Sequence, residues 1–331
     1  MAQVATLYCR SAIREVDVQV RIFFATDVHG SEVCWRKFLN AGTFHQADVL
    51  IMGGDMTGKA MVPIVATSDG WELSLQEQRH ELSSEDDVRA MEKRISDRGY
   101  YPVRLTRDEI DAWADDPALV DARFKAEILR VVERWMALAD ERLANSGIRC
   151  VVSPANDDMF EIDPIIDRAE RVELGEANTI DLDGLSLVST GWANPTPWNT
   201  FREMPEPELR ARIDEIVGKV PDPRRAIFNF HAPPFGSNLD NAPKLDANMN
   251  YVSGGQALIP VGSKAVRDAI VAYRPPLSLH GHIHEGKGAV KLGSTLAVNP
   301  GSSYEDGVLQ AAIVDLDTRK GTVKRYLLIN G

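Results

Sequence analysis

The chain has 331 residues, enough for one large domain or a core carrying an insertion. Its 37 Lys and Arg against 49 Asp and Glu leave a formal charge of −12, which argues against a general electrostatic grip on long nucleic acid or an anionic membrane. Three cysteines without CxxC spacing (Cys9, Cys34, Cys150) exclude a dense disulfide frame; with no signal-peptide pattern and no run of about 20 apolar residues, the expected location is the cytoplasm.

Residues 21–25 (RIFFA) predict a buried strand that stops abruptly at TDVHGS. Ser31 is placed to cap a helix whose inner side carries Val33, Phe38 and Leu39. A second buried strand is predicted at 49–52, and it runs into GGDMTG. Next, MVPIVATSDGWELSL reads as a β-hairpin turning at Ser68, Asp69 and Gly70. Ser83 or Ser84 starts a helix, Thr106 with Glu109 forms a capping-box pattern, and a long amphipathic helix follows with Phe124, Ile128, Val131, Trp135 and Leu138 near helical spacing. Residues 60–146 are therefore expected to be an inserted hairpin and helical cap within a single domain spanning 1–331.

Short strands return at 151–152, 185–190, 226–230, 277–279 and 296–298, and a last hairpin turns at Arg319, Lys320 and Gly321. Helices are predicted at about 206–218 and 264–273. Many strands and few late crossover helices give an α/β class with two packed sheets and outer helices, rather than one doubly wound sheet.

The polar residues just past these strands form a pattern. They are Asp27 and His29, then Asp55, then Asn156, Asp157 and Asp158, then His231, and finally His282 and His284. Five breaks spread over the whole chain each offer oxygen or imidazole donors. Mixed carboxylate, amide and imidazole ligands suit manganese, iron, zinc, cobalt or nickel. Seven donors with one shared carboxylate are too many for a single tetrahedral zinc and fit two ions about 3.5 Å apart. Such a pair makes hydroxide from a bound water near neutral pH and clamps the oxygens of a phosphoryl group.

These residues resemble the five ordered motifs of the calcineurin-like metallophosphoesterases: DxH at Asp27 and His29, GD at Gly54 and Asp55, the Asn-containing motif at Asn156 to Asp158, His231, and GHxH at Gly281 to His284. The resemblance covers about 20–56 and 148–330. It implies a four-layer αββα sandwich of two mixed β-sheets. It also implies that Asp27, His29 and His284 hold one ion, that Asn156, His231 and His282 hold the other, and that Asp55 bridges. A metal-bound water would be the nucleophile. Glycines 53, 54 and 281 are expected to let the backbone approach the ions, and the run NPGSS (299–303) resembles a late element that closes the core near the metal loops.

One departure stands out: the family usually has a histidine after the ligand asparagine, and this chain has Asp157, with Ala155 in place of the preceding glycine. Asp157 is a candidate acid only if its pKa is raised, and two nearby cations oppose that. The substitution therefore favours phosphodiesters. The rival readings are a phosphomonoesterase or nucleotidase and, in a different class, a non-catalytic scaffold like the metallophosphoesterase-like retromer subunit. Asp158 is expected to orient a ligand or its loop. Asn194 and Trp198, in an aromatic and proline-rich stretch, are candidate contacts to a small phosphoester substrate. The polar stretch 236–255 is expected to be a mobile loop over the site. His280 is expected to be a core or supporting residue, and His45 and His80 to be structural or on the surface.

Overall fold

The structure, a computed structural model, describes residues 19–331; Cys9 and the reading of the N-terminus lie outside it. The chain runs β1 (Gln19–Ala25), α1 (Glu32–Phe44), β2 (Val49–Met52), then β3 (Met61–Thr67), β4 (Gly70–Leu75), β5 (Gln78–Leu82), α2 (Glu85–Asp97), β6 (Tyr101–Leu105), α3 (Arg107–Asp115) and α4 (Pro117–Leu143). It continues through β7 (Arg149–Val152), α5 (Asp163–Asp167), β8 (Glu173–Leu174), β9 (Thr179–Leu182), β10 (Leu185–Thr190), α6 (Glu206–Val217) and β11 (Ala226–Phe230). The last third holds β12 (Asn241–Pro243), β13 (Leu258–Pro260), α7 (Lys264–Tyr273), β14 (Leu277–Leu279), β15 (Gly288–Leu292), β16 (Thr295–Asn299), β17 (Gln310–Asp317) and β18 (Thr322–Asn330).

Two six-stranded mixed sheets form the centre, in the orders β18-β17-β1-β2-β7-β8 and β15-β16-β14-β11-β10-β9. Strands β1, β2 and β7 run parallel in the first sheet, and β10, β11, β14 and β16 run parallel in the second. Alternation along each strand assigns side chains to layers. In β1, Ile22 and Phe24 enter the inter-sheet core with Leu187, Ile227 and Leu279, while Phe23 and Ala25 face the helices outside. In the second sheet Val188 and Phe228 point the other way, onto α6 and α7. Three apolar layers between four structural layers make the αββα sandwich. Each fully buried Leu, Ile or Phe in them contributes about 1.5–3 kcal/mol.

The stretch 60–146 divides in two. Residues 61–105 build a four-stranded sheet, β5-β4-β3-β6, covered by α2 over its own small core of Val62, Ile64, Leu73, Leu75, Val88, Met91 and Ile95. The expected hairpin is only the β3–β4 half of it. Strand β5 (QRHEL) is mostly exposed and shows no alternation to read, and β6 carries Pro102, tolerated because β6 is an edge strand. Helix α4 is not a cap over a cleft. Its buried Ile128, Val131, Val132, Trp135 and Met136 pack on the outer face of the first sheet, and Trp135 stacks on Trp35 of α1 with ring centroids 4.9 Å apart. Its apolar stripe needs a partner, and the sheet's helical layer supplies one.

Local signals place the helix starts. Ser31 caps α1 through the Cys34 amide, Ser84 and Thr106 close capping boxes on α2 and α3, and Ser263 caps α7. Cys34 and Cys150 are buried free thiols. Among the described residues, no helix is long and apolar enough to cross a membrane.

Candidate metal centre

Every candidate ligand lies just beyond the C-terminal end of a parallel strand, so the two sheets deliver their loops to one edge of the sandwich. Asp27 and His29 follow β1, Asp55 follows β2, Asn156 follows β7, His231 follows β11, and His282 and His284 follow β14. The first two loops continue the parallel pairing beyond the strands: the Asp27, His29 and Gly30 amides donate to Gly54, Asp55 and Met56 carbonyls at 2.8–2.9 Å.

The backbone is held against its preferences here. Asp27 (φ 53°), His29 (38°), Asp55 (49°) and His282 (67°) are all left-handed, a conformation that costs of order 1–3 kcal/mol for a residue with a Cβ. Such strain persists where surrounding contacts over-determine it. A Cβ on Gly281 would lie 2.3 Å from Asp27 Oδ2, and one on Gly54 would lie 2.2 Å from the Ala155 Cβ. A Cβ on Gly53 would meet the Phe24 ring at 2.5 Å. These glycines let neighbouring protein segments close on one another.

The donors gather in two triads, Asp27–His29–His284 and Asp55–His231–His282, each with one ligand atom per residue within 4.8 Å of the others. A third set, His29, Asp55 and Asp157, overlaps both, but Asp157 Oδ2 is paired with Lys59 Nζ at 2.9 Å. His29 Nε2 and His284 Nε2 face each other at 3.1 Å, and His231 Nε2 is 3.2 Å from Asp55 Oδ2. His231 Nδ1 donates to the Gly53 carbonyl at 3.1 Å, which leaves Nε2 as the ring nitrogen facing the carboxylates. His231 Nε2 and Asn156 Oδ1 are buried with no hydrogen-bond partner. The Asn156 amide nitrogen donates to Thr200 Oγ1 (3.0 Å) and Asp157 Oδ1 (3.1 Å), which turns its oxygen inward. Buried acceptors left open among carboxylates and imidazoles are the donor set of a divalent metal pair, and the residues fit such a pair.

Charge in this pocket is closely balanced. Burial alone would raise Asp27, but His231 and His284 beside it bring it down to about 2. Burial lowers His231, yet Asp55 and Asp27 outweigh it and lift the imidazole to about 9, so without an ion Nε2 carries a proton that a bound cation would displace. Burial drops His29 to about 3 and His282 to about 4, which keeps both rings neutral and available as ligands. Burial and the Asp55 charge push Asp157 up to about 6, against the pull of Lys59.

Asp158 is fully buried and ties the Asn156 loop to the Asp55 loop. Its carboxylate accepts from the amides of Ala155 (2.8 Å), Met56 (3.1 Å) and Thr57 (2.9 Å) and from Thr57 Oγ1 (2.8 Å). The NPGSS run lies against the ligand loops: Ser302 Oγ donates to the Asp27 carbonyl at 2.6 Å, and Asn299 Nδ2 to the Gly281 and Ile283 carbonyls. His280 is buried and donates through Nδ1 to the Phe230 carbonyl at 2.7 Å, next to His231. His45 stacks on Phe23 and Arg21 bonds its carbonyl, and His80 sits on β5.

Asn194 and Trp198, the candidate substrate contacts, make no hydrogen bond to a candidate ligand. Asn194 Nδ2 donates to the Val261 carbonyl at 3.1 Å, and Trp198 is 66 % exposed. The residue of that stretch that reaches the site is Thr200. Nor is 236–255 simply an open loop. Buried Asp240 accepts from the Gly236, Ser237 and Gly262 amides, and β12 pairs with β13 to make a short ribbon.

Three site residues had no place in the sequence reading. Lys59 sets its ammonium on Asp157; its only signal was its position four residues after Asp55. Tyr304, directly after NPGSS, lays its ring 4.9 Å from His29 and 5.9 Å from His284. Arg202, only 1 % exposed, bonds the Asp158 carbonyl (3.0 Å) and pairs with Asp163. Nothing in its sequence neighbourhood marks a buried arginine.

No family model matches the chain. An uncharacterized protein of Methanocaldococcus jannaschii, MJ1162, is 27 % identical over 175 residues, covering 52 % of this chain and 70 % of that one. Among solved structures, TT1561 of Thermus thermophilus superposes with a TM-score of 0.52 at 14 % identity, covering 94 % of this chain and 98 % of that one. The two share a fold. An archaeal phosphodiesterase aligns more loosely, with a TM-score of 0.36 at 12 % identity over 94 % of this chain and all (100 %) of the other.

Proposed function

We propose that this chain, whose fold is that of the calcineurin-like metallophosphoesterases, is a metal-dependent phosphoester hydrolase that prefers phosphodiesters. One observation carries the reading: two donor triads, each drawn from both sheets, gather at one edge, where Asn156 Oδ1 and His231 Nε2 are buried without a hydrogen-bond partner. Asp27, His29 and His284 would hold one divalent ion and Asn156, His231 and His282 a second, with Asp55 between them. The mixed donor set suits manganese, iron, zinc, cobalt or nickel. Two such ions would acidify an attacking water and offset charge on the phosphoryl oxygens.

The chain's own residues supply orientation. Gly53 fixes the His231 tautomer, Thr200 fixes the Asn156 amide, and Asp158 holds two ligand loops in register. Trp198 and Asn194 stay candidate contacts to a small phosphoester substrate, Trp198 through an exposed ring. Diester preference follows from position 157, where a carboxylate paired to Lys59 stands instead of an imidazole; its pKa is raised to about 6 without ions, and two bound cations would favour its ionised form, which cannot protonate a poor leaving group. Hydrolysis of bis-(p-nitrophenyl) phosphate and p-nitrophenyl phosphate with added Mn²⁺ tests this. The diester is expected to turn over at least tenfold faster. A faster monoester makes the chain a phosphomonoesterase, and no turnover of either with no ions retained makes it a binding scaffold.

A further inference from the structure

Lys59 occupies a fixed place that the ligand set leaves unexplained. It lies four residues beyond Asp55, and the intervening segment is pinned from two sides. Asp158 holds the Met56 and Thr57 amides, and the Tyr101 hydroxyl accepts from the Gly58 amide at 2.6 Å. A Cβ on Gly58 would meet the Gly99 carbonyl at 2.3 Å, so this segment is pressed against the turn before β6. One residue after Lys59, the Tyr101 amide donates to the Ala60 carbonyl at 3.0 Å, and the β3–β6 pairing begins at Met61 opposite Tyr101. The four-stranded sheet therefore anchors the backbone of Lys59 beside the candidate metal centre.

The side chain is 51 % exposed, yet its ammonium is set on Asp157, whose own side chain is only 16 % exposed. Asp157 is held in turn: its amide donates to Asp55 Oδ1 at 3.0 Å and its Oδ1 accepts from Asn156 Nδ2. An unpaired carboxylate here would repel a phosphate. Paired, it fixes a cation that has three N–H donors and uses one on Asp157.

We infer that Lys59 binds a phosphoryl oxygen of the substrate and that Asp157 is its positioning residue, the two together taking the place of the single imidazole found in the resembling family. The inference rests on the hydrolase reading above. Lys59 contributes charge and hydrogen bonds, and its proton stays on nitrogen. The substrates that suit such a group are phosphodiesters whose leaving oxygen departs as a stable anion.

The test uses Mn²⁺-loaded protein, inorganic phosphate as probe, and the variants Lys59→Met, Lys59→Arg and Asp157→Asn. Bound metal is counted by plasma mass spectrometry, and phosphate affinity is measured by calorimetry. Lys59→Met is expected to keep two ions and the wild-type Tm while phosphate Kd rises at least tenfold; Lys59→Arg is expected to recover most of that affinity. Asp157→Asn is expected to keep both ions and weaken phosphate less than Lys59→Met does. Unchanged phosphate affinity in Lys59→Met overturns the inference, and so does loss of an ion from Asp157→Asn, which would make Asp157 a ligand. Wild-type protein that retains no ions would instead overturn the hydrolase reading on which the inference stands.

Discussion

The two six-stranded sheets share a parallel centre, with antiparallel strands at one edge of the first and at both edges of the second, but they equip the candidate metal centre with unlike chemistry. The first sheet sends in all the carboxylates, Asp27, Asp55, Asp157 and Asp158, together with Asn156 and His29. The second sends in only imidazoles, His231, His282 and His284. Neither loop set alone makes the pair of sites, because each of the two triads takes members from both sheets. The consequence is mechanical as well as chemical. An ion held by Asp27 and His284, or by Asp55 and His231, ties one sheet to the other at the edge where the strands end.

The sharpest way to break this comparison is at the carboxylate placed between the triads. Asp55→Asn removes the charge nearest His231 and is expected to lower turnover by at least about 10³-fold, the scale of losing a key electrostatic group. Ion content should fall with it. Retained turnover with two bound ions would show that Asp55 does not join the halves.

Chelation probes the mechanical side. An ion whose ligands come from both sheets has its site only in the folded chain, so saturating Mn²⁺ at about 100 Kd adds about 2.7 kcal/mol per ion, about 5.4 kcal/mol for two. EDTA should then lower Tm by about 10–20 °C, read by calorimetry, at about 2–4 °C per kcal/mol. A Tm indifferent to EDTA, in protein shown to bind ions, would show that the ions bind the unfolded chain as well as the folded one and do not depend on the joined sheets.

The mildest comparison pairs two buried carboxylates with similar duties. Asp158, in a first-sheet loop, and Asp240, in a second-sheet loop, each accept from several backbone amides. Replacing either by Asn should cost about 1–3 kcal/mol, because buried donors lose their acceptor. Only Asp158→Asn should also weaken Mn²⁺ binding, by about 10–100-fold, since it alone touches the Asp55 loop. Equal effects on metal affinity would remove the distinction between the loops.

The value of the sequence differed between the strands and the site. Strands β10, β11, β14 and helix α7 fall where the apolar runs placed them, because a strand buried on both faces leaves a plain local signature. Strands β5 and β6 did not: β5 is a mostly exposed edge without an apolar alternation, and in β6 Pro102 interrupts the buried alternation of Tyr101, Val103 and Leu105. Helix α4 had a legible period, but its period could not say what covered it. Among site residues, those ending strands were visible as a set. Thr200 and Tyr304 sit in polar stretches with no distinguishing pattern. Arg202 is an arginine that only burial among carbonyls makes unusual.

What the sequence determined by itself is a list: buried strands that each stop at Asp, Asn or His, in an order matching one family's motifs. That list follows from local chemistry, since an apolar run shows its own ends. What only the tertiary structure decided is the grouping: which imidazole meets which carboxylate, that Asp157 faces Lys59, and that the four-stranded sheet pins the backbone beside that lysine. Those pairs lie in different loops and sheets, and hydrophobic burial, which is non-directional, specifies that faces must meet without recording in the chain which residues will then stand opposite.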